Sequence, residues 1–257
     1  MRNVLEGLSE KFLQARKALD RGEFVLLYDG ADREGEVDMV TLAENIKPET
    51  LHILRRDAGG LICVALHPCI AETFGLPFLH SIFEESSEKY PFLAEMVYKQ
   101  TAYGSKPAFS LPVNHKDTFT GIPDVDRSKT IKRLGELGKE AFFKGNDRSI
   151  VKKKFVEEFL TPGHVYLLRA VDGLLSERRG HTELCVYLAE LLGFTPVVVI
   201  CEMLDGDIGR ALSVEKAKNY AKDKGYPFLR GQDLISAYLK QPNPLKLIEK
   251  CSCSSAP

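Results

Sequence analysis

Six residues constrain this chain more than any others. Arg33-Glu34-Gly35-Glu36-Val37-Asp38 places one guanidinium and three carboxylates directly after the apolar run Phe24 to Tyr28 and directly before Met39 to Ala43. Apolar runs bounded by Gly and Asp read as buried strands, so the charges fall where one core strand ends and the next begins. Open α/β sheets place their ligands at such strand ends. A charge run taken alone is most often a solvated turn. Here it interrupts two core-like strands, and in extended backbone Glu34, Glu36 and Asp38 share a face. Carboxylates that converge repel unless a cation sits among them. Gly35 lets the chain bend close to a ligand, and the pattern predicts a Mg²⁺ site beside an arginine for an anionic substrate.

The remaining composition narrows the class. With 257 residues, 44% hydrophobic and 28% charged, the chain can bury a full core as one large domain or two small ones. A net charge of −1 gives no sign of a nucleic-acid or anionic-membrane partner. No apolar run approaches the ~20 residues of a spanning helix. The N-terminal stretch reads as an amphipathic helix with Val4, Leu5, Leu8, Phe12, Leu13 and Leu19 on one face, and not as a signal peptide. Six cysteines form no Cys-x-x-Cys pair, so the expectation is a reducing cytoplasm without structural zinc. Cys251 and Cys253 fall in residues 241–257, expected to be a flexible tail.

Read in order, the pattern predicts a helix over Glu44 to Arg56, a strand over Leu61 to Leu66 and a short helix at Ala71 to Phe74. The wholly apolar Leu61 to Leu66 implies helices on both faces of its sheet. Phe109, Leu111 and Val113 alternate into an edge strand marked by Pro112. A polar loop carrying Thr120 and Asp126 then leads to a helix that Ser128 is expected to cap. Residues 80–106 and 140–158 read as surface insertions, the second carrying Lys152-Lys153-Lys154; such a patch is usually solvated, and touches RNA more rarely. Strands are predicted at His164 to Ala170 and Val197 to Cys201. Helices are predicted at Thr182 to Leu192, from Ser213 to Gly225, and around Asp233 to Leu239. The alternation argues for an α/β or α+β layered fold in one catalytic domain over 1–240.

A second cluster of chemistry precedes the helix at Thr182. Arg178-Arg179-Gly180-His181-Thr182-Glu183 offers free N–H groups of a first helical turn for phosphate, with Thr182 as N-cap, Gly180 for close approach and Arg178 for a charge-assisted fork. A simple capped helix explains the same residues. Glu202 ends an apolar strand, a position that is functional more often than decorative in such folds. His164 follows Pro162-Gly163 at a turn, where a histidine is usually structural.

In this order, Arg33-Glu34-x-Glu36-x-Asp38, Gly60-Leu61-Ile62-Cys63, Thr120-Gly121 with Asp126-Arg127, Pro162-Gly163-His164-Val165, Arg178-x-Gly180-His181-Thr182-Glu183 and Cys201-Glu202 resemble the 3,4-dihydroxy-2-butanone 4-phosphate synthase family of riboflavin biosynthesis. The likeness spans roughly residues 15 to 240 and rests on six separate motifs. It implies a homodimer with active sites near its interface and a three-layer fold in which helices cover a mixed sheet. It also implies Mg²⁺ as cofactor and ribulose 5-phosphate as substrate. By motif, Glu34 and His181 correspond to metal ligands, and Arg178, Gly180 and Thr182 to a phosphate cradle. Arg33 and Asp38 correspond to groups that hold the sugar, and His164 and Glu202 to essential acid/base residues. Cys63, Thr120 and Asp126 match further site positions. Asp38, Glu36, His164 and Glu202 all stand as candidates for the base, with Asp38 favoured for the first proton. His181 is an unusual ligand for Mg²⁺, and by sequence Mn²⁺ fits as readily.

Val37 and Arg179 stand where many members of that family carry glycine, so both loops are expected to be stiffer. Two competing readings use the same residues: a different metal-dependent sugar-phosphate isomerase or aldolase, which releases no formate, and a nucleotide- or RNA-binding module served by the lysine cluster.

Overall fold

The computed structural model describes residues 7–240 apart from 98, 100, 102, 103 and 144–146. The C-terminal cysteines and Val4 and Leu5 lie outside the described residues. After helix α1 (Glu10–Asp20) the chain makes the hairpin β1 (Val25–Tyr28) and β2 (Val37–Leu42), and the six-residue charged motif lies on and beside its loop. Next come a 3₁₀ turn (Ala43–Asn45), α2 (Pro48–Ile53), a π turn (Leu54–Ala58), β3 (Cys63–Leu66) and α3 (Pro68–Phe74). The short helices α4 (Leu79–Ser86) and α5 (Phe92–Met96) precede β4 (Phe109–His115), α6 (Asp124–Phe142), α7 (Arg148–Glu158) and β5 (Phe159–Arg169). Helix α8 (His181–Leu191) and β6 (Val197–Glu202) follow, then a small hairpin, β7 (Leu204–Asp205) and β8 (Arg210–Ala211). The chain continues through α9 (Val214–Lys224), β9 (Phe228–Arg230) and α10 (Gly231–Lys240).

The main sheet has seven strands in the order β4-β5-β3-β6-β2-β1-β9 and is mixed: β3 pairs parallel to β5 and β1 to β9, and the other pairs are antiparallel. Strand alternation sorts its side chains into two cores. Val37, Met39, Val64, Leu66, Val199 and Cys201 pack with α2, α3, α6, α7 and α9. Val40, Leu42, Cys63, Ala65, Val198 and Ile200 pack with α1, α8 and α10. Helices therefore cover both faces of an α/β sheet, as the apolar strands predicted, and β4 with Pro112 is an edge.

Several boundaries differ from the sequence reading for physical reasons. The expected helix at Glu44 to Arg56 is broken into 3₁₀, α and π turns around Pro48, which cannot continue a helix entered from Lys47 in extended conformation. Ser128 sits one turn inside α6, where its hydroxyl donates to the Val125 carbonyl instead of capping. Residues 148–158 are no solvated insertion. They form a helix that buries Val151 and Phe155, with Phe155 stacked on Phe74 at 4.6 Å and on Phe159 at 5.0 Å. Lys153 and Lys154 pair with Glu157 and Glu140, so the basic cluster is largely neutralised by its own neighbours. No helix among the described residues is long and apolar enough to cross a membrane.

Because α7 is a core element, Phe155→Ala is expected to cost about 3–5 kcal/mol in denaturant unfolding. A loss under about 0.5 kcal/mol, the range of surface substitutions, would return the segment to the surface.

Candidate active site

The site lies at one end of the sheet, where the loop between β1 and β2 meets the end of β6 and the start of α8. Asp29 builds that loop. Its carboxylate accepts backbone N–H bonds from Gly30, Gly35 and Glu36 on Oδ1 and from Glu34 on Oδ2, between 2.8 and 3.2 Å. One buried side chain thus satisfies amides that a sharply turning loop leaves open. Gly35 takes φ +71, which breaks the extended run predicted through Glu34, Glu36 and Asp38. The carboxylates still gather, but around an imidazole. Glu34 Oε2 stands 3.3 Å from His181 Nδ1, and Asp38 Oδ1 stands 3.6 Å from His181 Nε2 on the other side of the ring.

Asp38 and His181 are both buried, and Asp38 Oδ1 and His181 Nε2 have no hydrogen-bond partner. Burial raises Asp38 to about 8, with Glu202, Glu34 and Glu36 adding to the push and His181 opposing it. Burial pulls His181 down, but Asp38, Glu34 and Asp29 outweigh it and leave the imidazole at about 10. Glu36 is raised in the same way by burial and by Glu34 and Glu202. This excess of negative charge suits a divalent cation. Donor atoms of Asp29, Glu34 and His181 lie within 4.8 Å of one another. The 3.3 Å between Glu34 and His181 is close to the ~3 Å that separates adjacent ligands of an octahedral ion with bonds of about 2.1 Å. Glu34 and His181 fit the metal, and Asp38 would orient the far side of the ring.

One residue upstream the charge reverses. A Cβ on Gly180 would lie 2.9 Å from both Arg178 Nη1 and Arg33 Nη2, so two guanidinium groups converge over a position that only glycine leaves open. Gly180, and not Thr182, is the N-cap of α8, and no side chain caps the helix. Thr182 is the second residue of the helix, buried in its first turn. A helix N-terminus with two arginines is an anion site. Arg33 therefore lies beside Arg178 and Gly180, the residues that the resemblance reads as a phosphate cradle, and not apart from them with the sugar-holding groups. Arg178 Nη1 donates to Glu183 at 2.7 Å, and Glu183 also accepts the Val171 N–H at 3.2 Å. Burial pushes the Glu183 carboxyl above its ordinary range, with Arg178 as the largest counterweight.

Glu202 is level with Asp38 across β6 and β2, and its Oε2 accepts the Leu61 N–H at 2.8 Å. Gly60 permits this: a Cβ there would collide with Glu202 Oε2. Cys63 lies buried on the same sheet face, its thiol pushed up by burial and by Glu202 and Asp38. The structure does not bring the remaining candidates into this cluster. His164 is exposed on β5, two strands from β6, where its backbone N–H donates to Asn114 Oδ1 at 2.7 Å and its Nδ1 meets Asn114 Nδ2 at 3.1 Å. Asp126 Oδ2 accepts the N–H groups of Thr120 and Gly121, holding the loop beside His164. Asp29 and Asn114 lie outside the motifs read from the sequence, and Glu183 lies inside one that assigns it no role. Asp29 alone carries a sequence signal, a short polar side chain next to a loop whose amides need acceptors.

Residues 13–237 match the sequence profile of the family described as 3,4-dihydroxy-2-butanone 4-phosphate synthase. The enzyme of that name from Archaeoglobus fulgidus is 47% identical over 89% of this chain and 94% of its own length, and that from Saccharomyces cerevisiae is 32% identical over 89% and 97%. A crystal structure of 3,4-dihydroxy-2-butanone 4-phosphate synthase in complex with two magnesium ions superposes with a TM-score of 0.67, at 28% identity over 89% of this chain and 96% of that one.

The acid cluster sets a pH dependence. The folded pKa values of Asp38 and His181 both lie above their ordinary values, so the stability they contribute is present at low pH and lost as pH rises through about 8 toward about 10. In metal-free buffer the melting temperature of the wild type should fall, relative to Asp38→Asn, as pH rises from the ordinary carboxylate range to about 8, where the Asp38 contribution is spent, and on toward about 10 as His181 loses its proton. Mg²⁺ should restore most at the alkaline end. A difference that does not change with pH would contradict the assignment.

Proposed function

Since the chain belongs to the 3,4-dihydroxy-2-butanone 4-phosphate synthase family of riboflavin biosynthesis, we propose that it converts D-ribulose 5-phosphate to L-3,4-dihydroxy-2-butanone 4-phosphate and formate, with Mg²⁺ as cofactor. The observation that carries this reading is the adjacency, at the start of α8, of a two-arginine anion cradle and a carboxylate–histidine cluster. A small phosphorylated sugar can be gripped at one end while protons are moved at the other.

In this reading Arg178, Arg33 and the first-turn amides around Gly180 and Thr182 hold the phosphate and so orient the sugar toward Glu34, Asp38 and Glu202. When bound by Glu34 and His181, Mg²⁺ supplies Lewis-acid stabilisation of negative charge on the sugar's carbonyl and neighbouring hydroxyl; Mn²⁺ is a workable substitute. Asp38 takes the C3 proton, since a buried carboxylate is a stronger base than a solvated one. Glu36 supports the local charge. Glu202, fixed by Leu61, carries the later proton transfers as water leaves C1, the skeleton rearranges and C4 departs as formate; His164, fixed by Asn114 outside this cluster, serves the partner subunit's site across the proposed interface. Cys63, buried and protonated, shapes the floor, and Thr120 with Asp126 shapes the rim. The exposed apolar side chains of Phe119, Ile122, Val125 and Leu160 belong to segments around His164, which supports a homodimer with this rim in its interface. Free, buried cysteines at 63, 69, 185 and 201 are compatible with a cytoplasmic home.

Purified protein given ribulose 5-phosphate and Mg²⁺ should release one formate per four-carbon phosphate product, and EDTA should abolish it. Glu34→Gln should lower turnover at least about a hundredfold. Absence of formate with metal demonstrably bound would overturn the proposal.

A further inference from the structure

Arg178 needs help to stay where it is. Its side chain is long and rotamer-rich, and it approaches Gly180 from the same side as the like-charged Arg33. Its Nε has no hydrogen-bond partner, and its backbone N–H is taken by the Leu174 carbonyl at 2.9 Å. The nearer acid in sequence, Glu177, is turned the other way and accepts the Gly173 N–H at 3.2 Å. The carboxylate that meets Arg178 is Glu183, and it is fully buried.

Glu183 is the third residue of α8, the position from which a glutamate commonly reaches back to the N-cap amide. Here it reaches sideways. One oxygen takes the Val171 N–H from the segment after β5, and the other takes Arg178 Nη1. Three pieces of chain are thereby joined at one carboxylate: the end of β5, the arginine loop and the first turn of the helix. A buried charge pair has little net value for stability compared with an apolar replacement. Its geometric effect is larger, since it fixes one guanidinium edge and leaves the rest of the fork for a ligand.

We infer that Glu183 is a positioning residue of the anion site: it holds Arg178 over the N-terminus of α8 in the orientation that grips the substrate phosphate. The inference rests on the sugar-phosphate reading above and adds to it a residue that touches no substrate atom. Glu183→Gln keeps the volume and the acceptor for Val171 but turns an NH₂ toward Arg178, which releases the arginine.

The test measures binding of inorganic phosphate by calorimetry alongside turnover. In Glu183→Gln the dissociation constant for phosphate and the KM for ribulose 5-phosphate should each rise about tenfold, with kcat changed by less than about threefold. Adding Glu183→Gln to Arg178→Ala should weaken phosphate binding no further, because the two act as a unit. Unchanged phosphate binding in a folded Glu183→Gln protein, or losses that multiply in the double variant, would reduce Glu183 to a structural brace. If Glu183→Gln does not fold, Glu183→Asp keeps the charge one methylene further back and should weaken phosphate binding in the same direction. Native phosphate affinity in that variant overturns the inference, as does a wild type that binds no phosphate. A wild type that binds phosphate but releases no formate would instead sink the proposed reaction and leave the positioning role standing.

Discussion

The contact on which the rest of this site depends is the buried imidazole of His181 between Glu34 and Asp38. A ring this buried, at the first residue of a helix whose every residue is buried, has few ways to exist. It must be charged and paired, or bound to a cation, and the flanking carboxylates serve either state. Their arrangement requires a loop that would otherwise splay apart by charge repulsion. Asp29 prevents that by collecting four amides of the loop on one carboxylate.

The same helix start divides the chemistry. His181 faces the acids, and Gly180, one residue earlier, faces two arginines. Opposite charges on either side of a helix terminus would give the proposed sugar phosphate a direction, its anionic end toward the amides and its hydroxylated carbons toward the carboxylates. The sheet contributes the floor. Asp38 on β2 and Glu202 on β6 are level with each other, with Cys63 buried on the same face. Gly60 lets Glu202 lie against the chain entering β3. Gly60 and Gly180 thus mark two places where side chains of the site come close to the backbone.

Much of this was legible in the sequence because the signals are local. Two apolar runs split by Arg33 to Asp38 locate a strand hairpin with a charged loop, and Arg178 to Glu183 before an apolar stretch locates a helix with two arginines at its start. The wholly apolar run Leu61 to Leu66 announced cover on both faces. What escaped depends on distant partners. Asp29 reads as an ordinary turn residue until its four amides are seen. The cap of α8 falls on Gly180 because the helix already begins at His181, which leaves Thr182 inside its first turn, so preference for threonine does not decide it. Helix α7 was hidden by Lys152 to Lys154, since Val151 and Phe155 become core only when Phe74 and Phe159 arrive to stack. His164 shares a motif alphabet with Glu202 yet sits two strands away, a separation that sequence order cannot express.

The most direct measurement is an anomalous-difference map from crystals grown with Mn²⁺, which marks a cation site by its own scattering. A peak within bonding distance of Glu34 and His181 Nδ1, with Asp29 still holding its loop amides, is the predicted result. A peak bonded to Glu36 and Glu202 alone, or a fully occupied ion remote from His181, would contradict it and would show that the buried histidine is a paired cation and not a ligand.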